Sequence, residues 1–330
     1  MLRNDLFKNK SVLVTGGTGS FGKKITAKLL KEHSPKKVII YSRDELKQFE
    51  MRHMPEFKDV ERLRYFIGDV RDYPRLKMAF HGVDYVIHAA ALKQVPACEY
   101  NPFEAVKTNV LGAENIITAA IENNVKKVIA LSTDKAANPV NLYGATKLCS
   151  DKLFISGNAY AAGEITRFSV VRYGNVVGSR GSVIPLFKKL KNTGALPITD
   201  ERMTRFWITL NQTADFVIKC FDRMCGGELF VPKIPSMKIV DLAKAIVPGC
   251  KFEYIGIRPG EKLHEILITR DDARRTVDTK DMYVVEPDFE WWGNIESHVQ
   301  GKKVSEDFVY SSDTNPEWLT VKELKSMVEE

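Results

Sequence analysis

Short apolar runs alternate with longer segments of helical periodicity along the first half of the chain. Six runs are predicted to be buried strands, at residues 11–15, 37–42, 63–67, 83–88, 127–132 and 167–172. The periodicity predicts helices over residues 21–31, 73–80, 103–124 and 142–156. Unbroken apolar strands that alternate with helices are typical of a parallel sheet covered on both faces. We therefore predict an α/β fold with a Rossmann-type, doubly wound parallel sheet.

The alternation stops after Tyr173, where prolines separate shorter elements. We predict that residues 1–175 form the dinucleotide-binding sheet domain. Residues 176–330 are predicted to form mainly a smaller mixed α/β substrate domain, partly interleaved with the first. The segment around Trp291 and Trp292 is interpreted as a peripheral extension without chemistry.

Composition narrows the class of protein. A chain of 330 residues that is 44% hydrophobic can bury a large core. The formal net charge is +7, but Lys and Arg are scattered among Asp and Glu, so we expect no nucleic-acid partner. No apolar stretch approaches the ~18 residues of a membrane span, so we expect no membrane partner. The five cysteines form no C-x-x-C pair, and free thiols fit a cytoplasmic protein without a metal site.

A glycine-rich loop follows the first predicted strand and opens the first predicted helix. Its glycines have the spacing G-x-x-G-x-x-G. Glycine lets the backbone approach a pyrophosphate, and the helix N-terminus supplies free N–H groups. We therefore predict that the loop binds a dinucleotide through Gly16, Thr18, Gly19, Ser20, Phe21 and Gly22.

The end of the second strand should meet the adenosine ribose. An NAD-binding protein usually places a carboxylate there, whereas this chain has Ser42 and Arg43, followed by Asp44 and Lys47. Serine and arginine suit a 2′-phosphate, so we favour NADP. The alternative is NAD, with Arg43 on the surface and Asp44 binding the ribose. Further predicted cofactor contacts lie after the third and fourth strands, at Asp69, Val70, Ala89 and Ala91.

The segment after the fifth strand carries a candidate catalytic pair. Tyr143 and Lys147 are four residues apart near the start of a predicted helix, so they share a face. A nearby ammonium and an oxidised nicotinamide both favour tyrosinate, so we expect the pKa of Tyr143 to be lowered. A tyrosinate can take the proton of a sugar hydroxyl while hydride leaves its carbon. Thr133 is placed to orient that alcohol, and both members of the pair are also predicted to contact the cofactor.

Together, the loop TGGTGSFG and the pair in YGATK resemble the extended short-chain dehydrogenase/reductases. The segments YSRDELKQ, GDVRD, HAAALKQVP, STDKAANPVNLYGATK, VRYGNVVGSRGSVIP, MTRFWIT, FVPKIPSMK and IRPGEKLHE are similar, more narrowly, to the inverting UDP-N-acetylglucosamine 4,6-dehydratases. The resemblance spans about residues 9–312. It implies a nucleotide-sugar lyase with UDP-N-acetylglucosamine as substrate. It also implies that the protein is a homo-oligomer. The same resemblance implies a place in the pathway to pseudaminic acid, a sugar that some bacteria attach to flagellin.

The resemblance implies roles for two residues after Thr133. Asp134 is the acid that protonates the departing C6 hydroxyl, and Lys135 is the base that removes the C5 proton. Retaining sugar dehydratases carry Asp-Glu at this point, so Asp-Lys favours the inverting class. A free lysine has a pKa of ~10.4, and we expect burial or the oxidised nicotinamide to lower it. The alternative is that Asp134 and Lys135 form only a loop ion pair.

Motif matches also imply contacts with the nucleotide sugar. Arg258 suits the diphosphate because its planar fork matches phosphate oxygens. Glu261 is suited to accept from the uridine ribose. The complete implied set is Lys93, Asn175, Val183, Thr199, Arg205, Arg258 and Glu261.

Three other functions remain open at this point. A UDP-sugar 4-epimerase needs Tyr143 and Lys147 but no acid–base pair for C5 and C6. A dehydratase that retains the C5 configuration differs only in product stereochemistry. A non-catalytic protein that senses NADP(H) has no use for the Tyr143/Lys147 pair.

Overall fold

All six predicted strands are present in the computed structural model of the protein, which describes residues 6–161, 165–178, 183–192, 194–288 and 299–329. The strands are β1 (Ser11–Thr15), β2 (Lys37–Ser42), β3 (Leu63–Ile67), β4 (Tyr85–His88), β5 (Lys127–Leu131), β6 (Arg167–Val171), β7 (Asn175–Val176), β8 (Ala195–Ile198), β9 (Thr204–Ile208), β10 (Leu229–Pro232), β11 (Ser236–Lys238), β12 (Lys251–Tyr254), β13 (Ile266–Ile268), β14 (Thr276–Asp278), β15 (Met282–Val285), β16 (Lys302–Lys303) and β17 (Tyr310–Ser311). The α-helices are α1 (Ser20–Glu32), α2 (Glu45–Arg52), α3 (Tyr73–Ala79), α4 (Val95–Tyr100), α5 (Pro102–Val106), α6 (Gly112–Glu122), α7 (Leu142–Tyr160), α8 (Val183–Leu190), α9 (Leu210–Arg223), α10 (Ile239–Ile246), α11 (Arg270–Ala273) and α12 (Val321–Glu329).

One large sheet organises the molecule. Its order is β3-β2-β1-β4-β5-β6-β10-β15-β14-β16, parallel from β3 to β10 and antiparallel beyond. The order 3-2-1-4-5-6 is that of dinucleotide-binding α/β folds. The point at which the order of the strands reverses lies between β1 and β4, which are parallel. The predicted fold class is confirmed.

Side chains that alternate along β1 enter two separate cores. Leu13 packs on one face with Ile116 of α6 and Phe154 of α7. Val14 packs on the other face, where Leu29 of α1 belongs to the same cluster. This alternation follows from the two-residue period of a strand and leaves both faces covered by helices.

The second half of the chain contributes to both parts of the fold. Strand β10 pairs with β6 within the large sheet, whereas β11, β9 and β7 form a small separate sheet. A third core joins Trp207 of β9 and Phe187 of α8 to side chains of α10 and α12. A strand from the second half of the chain thus belongs to the large sheet, and the division into two partly interleaved domains at residue 175 remains a prediction. Trp291 and Trp292 lie outside the described residues.

The helix predicted over 103–124 is interrupted. It begins as α5, passes through a π-helical turn at Lys107–Leu111 and continues as α6. In the first half of the chain, helices α2 and α4 were not predicted, because each buries so few side chains that its periodicity is weak. Within the described ranges, no helix is long and apolar enough to cross a bilayer.

Candidate active site

A cavity of about 590 Å³ opens at the carboxyl ends of β1, β4 and β5. Ligands in open α/β sheets bind at this edge, where the strand order reverses. Most of the predicted site residues meet there. The lining includes Gly16, Thr18, Gly19, Ser20, Phe21, Gly22, Ser42, Arg43, Lys47, Asp69, Val70, Ala89, Ala91, Lys93, Thr133, Asp134, Lys135, Tyr143, Lys147 and Asn175.

The glycine loop leaves no room for a side chain at Gly16. Gly16 has a φ of +63°, and a Cβ there would lie 2.9 Å from the backbone nitrogen of Ala90. Helix α1 starts at Ser20, and no side chain caps its first N–H groups. The loop therefore presents free N–H donors and a positive helix end to the cavity, which suits a pyrophosphate.

The polar residues at the end of β2 have two different roles. The Ser42 hydroxyl lies 3.0 Å from the Thr18 hydroxyl, and Arg43 extends toward Asp69 at 3.6 Å. Asp44 instead caps α2 by accepting from the backbone N–H of Lys47 at 3.0 Å. Asp44 was also predicted to contact the cofactor, but it does not line the cavity. Its carboxylate instead caps the first turn of α2.

The candidate acid and base lie on a short 3₁₀ turn, Asp134–Ala136, directly after β5. Lys135 Nζ is 3.0 Å from Asp134 Oδ1, and the Thr133 hydroxyl donates to the same oxygen at 3.0 Å. Asp134 is 1% exposed. The ion pair that sequence reasoning kept as an alternative therefore exists, but it faces the cavity rather than the surface.

Helix α7 brings Tyr143 and Lys147 to the same cavity. Asn141 caps the helix by accepting from the Gly144 N–H at 2.8 Å, which fixes the first turn. Both side chains are buried. Burial lowers the pKa of Lys147, and the carboxylate of Asp151 opposes this effect.

The expected pKa shift of Tyr143 is wrong for the protein alone. Burial raises the pKa of Tyr143 to about 12, because the tyrosinate would lose its hydration. The leading opposing cation is Lys135 rather than Lys147.

The expected pKa shift of Lys135 is also wrong in sign. Burial acts to lower the pKa of Lys135, as anticipated, but the carboxylates of Asp134 and Glu265 outweigh it and raise the pKa. In this state Lys135 is an ammonium.

Several implied substrate contacts do not reach this cavity. Arg205 is buried and donates to the backbone carbonyls of Lys262 and Leu263. Thr199 lines a separate surface depression. Val183 lies in α8 and is half-buried. Arg258 lies 3.8 Å from Glu261 in a surface ion pair. Within the described residues, none of these side chains lines the cavity that holds Tyr143 and Lys147.

Sequence reasoning missed two buried carboxylates. Asp151 follows Lys147 by four residues on α7 and accepts from Ser132 at 2.6 Å; helical spacing alone was a sufficient signal. Glu265 is the last residue of the segment IRPGEKLHE and contacts Lys135 at 3.2 Å. Glu265 lies 130 residues after Lys135 in the sequence, so no local pattern indicated that the two are in contact.

Comparison with known proteins shows which families this chain resembles. The family described as "Polysaccharide biosynthesis protein" matches residues 12–287. The UDP-N-acetylglucosamine 4,6-dehydratase (inverting) of Campylobacter jejuni is 56% identical over 331 residues, covering 98% of each chain. The UDP-glucose 4-epimerase of Rickettsia conorii is 42% identical and covers 98% of this chain and 96% of its own. The X-ray structure of Pen from Bacillus thuringiensis superposes with a TM-score of 0.88 and 40% identity, covering 98% of this chain and 99% of the other. The sequence-based resemblance to inverting UDP-N-acetylglucosamine 4,6-dehydratases is confirmed.

Proposed function

The chain belongs to the polysaccharide biosynthesis protein family, and we propose that it is an NADP-dependent UDP-N-acetylglucosamine 4,6-dehydratase that inverts C5. The observation that carries this proposal is the Asp134–Lys135 pair, which faces the same cavity as Tyr143 and Lys147. A dehydratase needs an acid and a base in addition to the tyrosine, whereas an epimerase does not.

The residues around the cavity fit a nicotinamide dinucleotide. The cradle at Gly16 leaves room for a pyrophosphate, and Ser42 with Arg43 suits a 2′-phosphate. The chemistry supplied by such a cofactor is the acceptance and return of a hydride, so it is not consumed. Lys147 is held buried beside Tyr143 on α7 to orient this end of the site.

The acid and base can arise from one proton shift. Tyr143, after losing its phenolic proton to solvent, accepts the proton of the C4 hydroxyl as that carbon is oxidised. The resulting ketone acidifies the C5 proton. Moving a proton across the 3.0 Å contact converts the Lys135 ammonium and Asp134 carboxylate into an amine and a carboxylic acid. The amine then takes the C5 proton, and the acid gives its proton to the C6 hydroxyl, which leaves as water. The elimination leaves both groups in their resting charge states. A hydride returned to C6 and a proton given to C5 by Lys135 then complete the 4-keto-6-deoxy product, and Lys135 regains its proton from solvent.

The test is proton NMR of the purified protein with UDP-N-acetylglucosamine in deuterated water. We expect a 4-keto-6-deoxy product with deuterium at an inverted C5. Retained C5 would contradict the inverting assignment, and a product that keeps its C6 oxygen would establish the epimerase suggested by the Rickettsia relative. Bound cofactor without turnover of any UDP-sugar would indicate a sensor.

We also propose, from the resemblance to the inverting dehydratases, that the enzyme is a cytoplasmic homo-oligomer that begins pseudaminic acid synthesis for flagellin. Deleting its gene should remove that sugar from the flagellin. Unchanged flagellin glycans in the deletion strain would refute the pathway assignment while leaving the catalytic proposal intact.

A further inference from the structure

A second buried carboxylate contacts Lys135. Glu265 Oε1 lies 3.2 Å from Lys135 Nζ, and Glu265 is only 2% exposed. Glu265 does not line the described cavity, so it contacts Lys135 from within the protein. Resting on the proposed function, we infer that Glu265 is a positioning residue that holds Lys135 against Asp134 and biases their shared proton toward Lys135.

The Glu265 backbone is fixed from two sides by one serine. The Glu265 N–H donates to the Ser312 hydroxyl at 2.9 Å, and the Ser312 N–H donates to the Glu265 carbonyl at 2.9 Å. The same hydroxyl lies 2.7 Å from that of Thr204. The backbone that carries the Glu265 carboxylate is therefore held in place by hydrogen bonds, as a positioning role requires.

The charges around this carboxylate make it the centre of a buried cluster. Arg205 Nε lies 3.7 Å from Oε1, and Lys262 Nζ lies 3.9 Å from Oε2. Among the described residues, no hydrogen bond reaches Oε2. The ionisable groups that act on Lys135 or are affected by it are Lys93, Asp134, Tyr143, Arg205, Lys262 and Glu265.

The sign of the effect follows from this arrangement. A negative Glu265 stabilises the Lys135 ammonium more than the amine, so its presence raises the pKa of Lys135. Without that charge, Arg205 and Lys262 would repel the ammonium with only Asp134 left to hold it. Neutralising Glu265 should therefore lower the pKa of Lys135 and also loosen its side chain.

The test is the pH dependence of turnover in Glu265→Gln, followed by product NMR. We expect kcat to fall about tenfold or more with KM within about threefold, because a misplaced base costs the chemical step rather than binding. The fall of kcat at alkaline pH should move to lower pH by about one unit. Reduced cofactor should accumulate, visible by its near-ultraviolet absorbance, because C4 oxidation precedes the slowed step.

Glu228→Gln is the matched control. Glu228 is 1% exposed, and its carboxylate accepts from Ser169 at 2.6 Å and from the backbone N–H groups of Cys225 and Gly226, so its variant should keep the wild-type pH profile. Glu265→Asp keeps the negative charge but places it farther from Lys135, so it should shift the pH profile less than Glu265→Gln does. This variant also provides the test if Glu265→Gln does not fold. Wild-type profiles in both Glu265 variants would overturn the inference alone. Absence of the dehydrated product from the wild type would overturn the proposed function as well.

Discussion

Gly144 packs so closely on Lys135 that a Cβ on Gly144 would lie 2.1 Å from the Lys135 carbonyl oxygen. The first turn of α7 and the 3₁₀ turn thus meet backbone to backbone, which sets Tyr143 at a fixed position relative to Lys135. Gly144→Ala should force them apart, destabilising the protein by about 1–3 kcal/mol and lowering turnover up to about 100-fold. Urea unfolding and turnover assays would measure both effects.

Gly157→Ala is the control on the same helix. Its Cβ would meet a side-chain methyl of Ile117 at 3.2 Å, which can adjust more easily than a backbone oxygen. We expect nearly normal turnover in this variant. Normal turnover in Gly144→Ala would show that the backbone contact does not fix the catalytic geometry.

Lys135 should influence the first chemical step as well as the second. Because its ammonium opposes the burial that raises the pKa of Tyr143 to about 12, Lys135→Met should raise that pKa further. Less tyrosinate would then be present at neutral pH, so C4 oxidation should slow, and dehydration should stop for lack of a base. Ultraviolet titration, with Tyr143→Phe subtracted, would follow the tyrosine directly.

Dinucleotide binding should survive in Lys135→Met, which separates a chemical defect from a folding defect. A tyrosine that titrates at the same or lower pH than in the wild type would contradict the electrostatic coupling. Full dehydration by the variant would remove Lys135 from its role as base.

Arg43 should discriminate between the two dinucleotides. Its guanidinium lines the cavity and is about half exposed, so it is available to a 2′-phosphate. Losing one charge-assisted contact worth about 1.5–3 kcal/mol predicts that Arg43→Ala weakens NADP binding about 10- to 100-fold, with little change for NAD. Calorimetric titration of both cofactors would measure this difference.

Arg223 offers a control for the loss of a surface arginine, because it pairs with Asp281 away from the cavity. Arg223→Ala should leave both affinities unchanged. Equal weakening of NADP and NAD by Arg43→Ala would argue against the 2′-phosphate assignment.

His88 should make the fold sensitive to mild acid. Burial lowers the pKa of His88 from 6.5 to about 3, with a smaller contribution from the Lys147 charge. Below pH 6.5 the unfolded chain therefore binds a proton at His88 that the folded chain does not bind. The free energy of unfolding consequently falls as pH falls from 6.5 toward 3. Between pH 6.5 and 5 this loss is about 2 kcal/mol.

Unfolding by urea at these pH values in the wild type and in His88→Asn would isolate this contribution. The variant should be less stable near neutrality, because the 2.8 Å contact with the Thr15 hydroxyl is disturbed. It should nevertheless lose less stability on acidification. Parallel losses in the two proteins would contradict the assignment to His88.

Local features of the site could be predicted from the sequence. Tyr143 and Lys147 lie on one helix, and the glycine loop joins a strand to a helix, so spacing along the chain fixes their relationship. The charge state of Lys135 could not be predicted in this way, because Glu265 reaches it through a distant segment. Arg205 illustrates the same limit, since its sequence environment does not reveal that it is buried against carbonyls of residues 262 and 263.

The fold shows the same division between local and distant information. The strands β1 to β6 were predictable because each is a short and largely apolar run. The π-helical turn at Lys107–Leu111 was not, since its residues continue the helical periodicity on both sides. The entry of β10 into the large sheet also depends on a pairing between distant segments, which periodicity cannot indicate.

Strand β10 has a consequence for how the protein is made. During synthesis β6 emerges from the ribosome with an unpaired edge, and its partner β10 follows only after more than fifty further residues, on the order of several seconds later. An open apolar edge is a template for pairing with other chains. A fragment that ends at residue 175 should therefore aggregate, which light scattering would detect. We therefore expect the nascent first half to need protection until translation delivers the strand that closes its edge.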